Sequence, residues 1–166
     1  EFRRVLFRSS EDFSVASPDG THDVQVKFSE ALGGPSSISL RTAGVREAIA
    51  RHWERCEGGT RPRRLTILAR GGAAREKGAE FPAPQTGLEY WASVAFVGDI
   101  RPLRMLLQSV FDSTPLGDWL ATNPSDQDVR NRLLTRVHFA INSRDDAALE
   151  EYLHDRLAAI YLETIW

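Results

Sequence analysis

Cysteine is almost missing from this chain: Cys56 is the only one in 166 residues. A single thiol excludes an internal disulfide and a cysteine-rich zinc site, and an intracellular, cytoplasmic setting is the simplest account of it. Long apolar runs are missing too. No stretch can span the hydrocarbon of a bilayer, so no membrane partner is expected. Excess charge of one sign is also lacking. With 21 basic against 23 acidic side chains the net charge is -2, which excludes a generally basic nucleic-acid binder and requires any such surface to be local. Internal repeats and low-complexity tracts are not found.

What is present suits one globular domain, since 42% of the residues are hydrophobic and the length allows a sizeable core. Residues 1–9 (Glu-Phe-Arg-Arg-Val-Leu-Phe-Arg-Ser) read as a non-native leader resembling translated adapter sequence. The alternative for that stretch is an edge strand at Val5-Leu6-Phe7. Native residues before Glu11, a helix among them, are expected to be missing. The domain then runs from 10 to 166, with a sheet core over 10–80 and a helical part over 86–166.

The chain is organised around Asp19 to Ser29. Pro18-Asp19-Gly20-Thr21 is a turn signal, because Asp bonds back to its own backbone and Gly takes positive φ freely. Val24, Val26 and Phe28 then alternate with Gln25, Lys27 and Ser29, the period of a strand. Glu11-Asp12-Phe13-Ser14-Val15 supplies the first arm of a hairpin. A carboxylate at Asp12 and a carboxamide at Gln25 are oxygen donors for a divalent cation. Lys27 is suited to polarising an attacking water or steadying an oxyanion. The plainer alternative is that Gln25 and Lys27 form the wet face of an amphipathic strand.

Thr42 is placed to cap a helix over Ala43 to Cys56, whose buried stripe is Val45, Ile49 and Trp53, widened by Ala48 and Cys56. His52 reads as a boundary residue of that stripe. Leu65-Thr66-Ile67-Leu68-Ala69 is a short apolar run between breakers, the pattern of a central strand covered on both faces. Strand, helix and strand make a parallel crossover, so the hairpin and this unit form a small mixed sheet. Arg70-Gly71-Gly72 follows, but without the Lys-Ser/Thr ending of a Walker loop.

Between residues 41 and 77, ten basic side chains face four acidic ones, a local +6, whereas residues 99–166 carry seven against eleven, or -4. Arg63, Arg64, Arg70 and Lys77 are the candidates for phosphate contacts. The alternative is that the Arg stems merely cover apolar surface. The second half reads as helical. Leu88 to Val97 is a helix or strand, and Arg101 to Phe111 is a helix with Pro102 in its first turn. Pro115 to Ala121 is a short helix. Ser125 with Asp128 is a loose capping box opening a helix through Ile141 on the stripe Val129, Leu133, Val137 and Ile141. A last helix begins at Asp145 or Asp146 and buries Leu149, Leu153, Leu157 and Ile160. Arg132, Arg136 and His138 read as polar members of packed elements.

Asp12 before the hairpin and Val24-Gln25-Val26-Lys27 on its second arm resemble the PD-(D/E)xK nuclease superfamily, and within it the nuclease effector domains of bacterial antiphage defence proteins. Trp53 and the strand at Leu65 extend the likeness loosely. The resemblance implies an α/β fold with a small mixed β-sheet and a crossover helix, a restriction-endonuclease-like core, followed by a helical C-terminal half. It implies a Mg²⁺ (or Mn²⁺) site with Asp12 as metal carboxylate, Gln25 in place of the usual acid and Lys27 as catalytic lysine. It further implies double-stranded DNA as substrate, a fused NTPase or nucleotide-sensing domain, and a homo-oligomer. Members often add a Glu from a preceding helix; Glu11 is the stand-in here, although as Asp12's neighbour it should face away. The alternative is a nuclease fold without chemistry, serving as a nucleic-acid-binding or oligomerisation module.

Overall fold

The computed structural model describes residues 12–17, 20–27, 37–59, 62–69, 71–82, 84 and 86–141. The first expected feature, the hairpin, is present: strand β1 (Asp12–Ser17) pairs antiparallel with β2 (Gly20–Lys27), Ser17 opposite Gly20 and Asp12 opposite Gln25. Gly20 is needed for two reasons. Its φ is +147°, and a Cβ there lies 2.4 Å from the Pro62 carbonyl oxygen, which already accepts the Thr21 amide at 2.9 Å. The turn is thereby fixed to the residue preceding the next strand of the sheet.

After a two-residue strand β3 (Ser37–Ile38), helix α1 (Ala43–Glu57) crosses over to β4 (Arg63–Ala69), which runs parallel to β2. Thr42 stands at the N-cap but its hydroxyl accepts from the Ser39 amide at 3.0 Å rather than from the helix. Leu65, Thr66, Ile67, Leu68 and Ala69 are all buried, as expected of a strand covered on both faces. The short β5 (Gly72–Ala73) pairs with β3, so the second of the two glycines after β4 belongs to a second, two-stranded sheet.

Helices α2 (Gly87–Val94), α3 (Arg101–Val110), α4 (Pro115–Ala121) and α5 (Asp126–Arg132) follow. Half of the expected capping box is formed: Ser125 Oγ accepts from the Asp128 amide at 3.1 Å, while the Asp128 carboxylate accepts from the Ser125 hydroxyl at 2.6 Å instead of from its backbone amide. The helix it opens is shorter than its apolar stripe suggests. It ends at Arg132, a 3₁₀ turn covers Leu134–Arg136, and Val137–Ile141 is a strand, β6, parallel to β4. The helix expected through Ile141 is corrected on this point. Val137, Phe139 and Ile141 also alternate, and the open edge of β4 offers five residues of backbone pairing that a solitary helical turn cannot match. The expected last helix, from Asp145 or Asp146, lies outside the described residues, as do the leader, Glu11 and Arg70.

The four-stranded sheet thus has the order β1-β2-β4-β6, three parallel strands with β1 antiparallel at one edge, within a mixed α/β domain with five helices among the described residues. Its largest apolar cluster lies on one face. Leu65, Ile67 and Ala69 of β4 meet Val45, Ile49 and Trp53 of α1, and one cluster continues through Leu88, Trp91, Leu107 and Leu116. Trp53 and Trp119 stack at 4.4 Å between ring centres, and the Trp91 indole donates to the Leu134 carbonyl at 3.1 Å. That last bond ties α2 to the turn that launches β6. No described helix is long and apolar enough to cross a membrane.

Candidate active site and the polar cluster beside it

Strand pairing decides which side chains can act together. Residues opposite each other across a ladder lie on one face, and alternate residues along a strand share it. Asp12 pairs with Gln25, and Lys27 is two residues further along β2, beside Ala69 of β4. Positions 12, 25 and 27 therefore fall on one face at one end of the sheet. Gln25 is half-buried there.

The same face carries a carboxylate that the alternation of Val24, Val26 and Phe28 did not single out. Asp23 is 4% exposed, so this is not a plain solvent face at that position. Ser14 Oγ donates to its Oδ1 at 2.5 Å, and Arg63 and Arg55 approach Oδ2 at 3.5 and 3.7 Å. His52 Nδ1 lies 3.8 Å from the same oxygen, an ion-pair distance rather than a hydrogen bond. On the other side of the ring, His52 Nε2 is 3.5 Å from Cys56 Sγ. His52 is 3% exposed: it belongs to the interior and not to the boundary of α1.

The charges in this cluster set one another. Burial by itself pushes the Asp23 carboxyl up, but His52, Ser14 and the two guanidinium groups outweigh it and hold it at about 2. Burial pushes His52 down, and the neighbouring Asp23 and Cys56 reverse this and raise it. Burial likewise pushes the Cys56 thiol up, while His52 and Arg136 bring it below its ordinary value. Acid, imidazole and thiol thus stand in a row across β2 and α1. The spacing of His52 and Cys56, four residues apart on one helix, was the available signal for half of it.

Of the expected phosphate contacts, Arg63 and Arg64 lie at the end of the sheet away from Lys27. Arg63 is committed to Asp23. Arg63 pairs with Thr21 whereas Ala69 pairs with Lys27, so six residues, roughly 20 Å of strand, separate the two ends. Arg64 is exposed on the alternate position, which is the opposite face. Lys77 is exposed in the turn after β5.

Among the described residues, no group of three or more His, Cys, Asp or Glu is arranged to hold a metal ion. Asp23 is not a spare ligand, because its oxygens already face a hydroxyl and two cations. The donor kinds at positions 12 and 25 still suit Mg²⁺, which is commonly bound by one or two carboxylates and completes its octahedron with water and substrate phosphate. Comparison with family models, curated proteins and solved structures gave no match to this chain.

Proposed function

We propose that this protein is a Mg²⁺-dependent DNA endonuclease effector domain of the PD-(D/E)xK type, acting in antiphage defence. The observation that carries the reading is the register of the hairpin: Asp12 opposite Gln25, with Lys27 at the next position on the same face. Support also comes from the crossover through α1 to a parallel β4, which the resemblance implied. In this reading Asp12 supplies the metal carboxylate and Gln25 a carbonyl oxygen. Mg²⁺, when bound, neutralises the non-bridging oxygens of the scissile phosphate. Lys27 orients the attacking water for in-line displacement and offsets negative charge as the leaving oxygen departs. Arg70 and Lys77 remain the phosphate contacts nearest in sequence to that end of β4.

A second reading is a nuclease fold that binds nucleic acid or assembles without cutting it. One observation favours it: the usual acid is Gln25, and the neighbouring carboxylate, Asp23, is engaged by cations. Plasmid cleavage separates the two. The endonuclease reading expects nicked or linear product with Mg²⁺ and none with EDTA, with Asp12→Asn inactive. Retention of DNA without cleavage, unaffected by EDTA, selects the binding module.

A further inference from the structure

Parallel strands gather their starting ends together, and those ends of β2, β4 and β6 line a cavity of about 510 Å³ with α5 and the turn after α2. His22 pairs with Arg64, and Thr66 pairs with His138. Arg136, just before β6, completes the row, and Asn131 lies on the α5 side. His22 Nε2 meets Thr66 Oγ1 at 2.8 Å, and Arg136 Nε donates to the Asn131 carbonyl at 3.0 Å, so the walls are cross-braced.

Three features describe what such a space accepts. Its described lining residues include arginines and histidines and not one carboxylate. Arg63 at its edge is matched by Asp23, but Arg64 has no carboxylate partner among the described residues. The rim carries Phe96, 81% exposed, an apolar ring left in water beside a cationic pocket. The turn bearing it is held in place, since Arg130 donates to the carbonyls of Val94 and Gly98 on either side. The volume is within the ~300–1,000 Å³ range typical of small-molecule sites.

We infer that this cavity binds a nucleotide, its phosphate on Arg64 and its base stacked on Phe96. Guanidinium groups suit phosphate because they offer paired, permanently charged donors, and an exposed aromatic ring stacks any base. A free mononucleotide and the 5′-phosphorylated end of a strand present the same chemistry. The site is at the other end of the sheet from Asp12, Gln25 and Lys27, so it stands or falls apart from the endonuclease reading.

The test is calorimetric titration of the full chain with AMP, adenosine, inorganic phosphate, and an oligonucleotide with and without a 5′-phosphate. AMP should bind more tightly than adenosine. Arg64→Ala should weaken AMP and phosphate by about tenfold or more. Phe96→Ala should weaken AMP by at least about fivefold while leaving phosphate unchanged. Lys27→Ala should bind AMP as the wild type does. Both altered residues are exposed, and thermal unfolding verifies that the variants fold. Binding of AMP identifies a free nucleotide. Binding of the 5′-phosphorylated strand but not AMP identifies a strand end. Failure of both at millimolar concentration, equal binding of the two oligonucleotides, or AMP affinity indifferent to Arg64→Ala overturns the inference.

Discussion

Replacing Asp23 by Asn tests whether the buried cluster stabilises the sheet against α1. The side chain keeps its shape and can still accept from Ser14, but it no longer answers Arg55, Arg63 and His52. The carboxyl is held at about 2 rather than the usual 3.8. At ~1.4 kcal/mol per pH unit that difference is worth roughly 2–3 kcal/mol. Arg55 is 46% exposed, so part of its share is screened by water, and about 2 kcal/mol is the better expectation. For a domain of this size, each kcal/mol moves Tm by about 2–4 °C, so Asp23→Asn should lower it by about 4–8 °C near neutral pH. The pH dependence has a definite sign. A depressed carboxyl contributes its stability fully above its unfolded value and loses it as pH falls towards about 2. The wild type should therefore lose Tm more steeply than the variant in that acid window. His52 is raised, so its contribution is present below its ordinary 6.5 and fades as pH climbs through its folded value; the variant should mute this limb too. Scanning calorimetry across pH measures both limbs. A variant within about 1 °C of the wild type, with the same acid limb, refutes the account.

Two further outcomes follow from the same geometry. Cys56 should react with iodoacetamide near neutral pH faster in the wild type than in His52→Gln, because the imidazole and Arg136 hold the thiol below its ordinary value. Equal labelling rates by intact-mass kinetics contradict the proposed row of acid, imidazole and thiol. Gly20→Ala should destabilise the hairpin by about 1–3 kcal/mol, measured by urea unfolding, since it meets the Pro62 carbonyl and forces an unfavourable φ. An unchanged midpoint shows that the turn can relax.

The hairpin, the crossover helix and β4 were legible because each has one dominant pattern: turn residues before an alternation, a stripe of period 3.6, and an apolar run between breakers. The strand β6 was not, because Val129, Leu133, Val137 and Ile141 satisfy a helical stripe as well as Val137, Phe139 and Ile141 satisfy an alternating one. What decides is the unpaired edge of β4, a fact about another part of the chain. Asp23 was missed for a similar reason. A carboxylate in a strand reads as solvent-facing unless its partners are known, and those partners come from β1, α1 and β4. Arg63, assigned to phosphate on local charge, is one of them. That Asp12 and Gln25 lie on neighbouring arms was legible, because turn residues separate the two arms; their pairing opposite each other is a finding of the structure.

Single-turnover cleavage of a supercoiled plasmid by wild type and Lys27→Ala, with Mg²⁺ saturating and DNA retention measured in parallel, addresses the central claim directly. The account predicts that the variant retains DNA but cuts at least about a hundredfold more slowly, the loss typical of removing one group that stabilises developing charge. Equal cleavage rates in the two proteins contradict it.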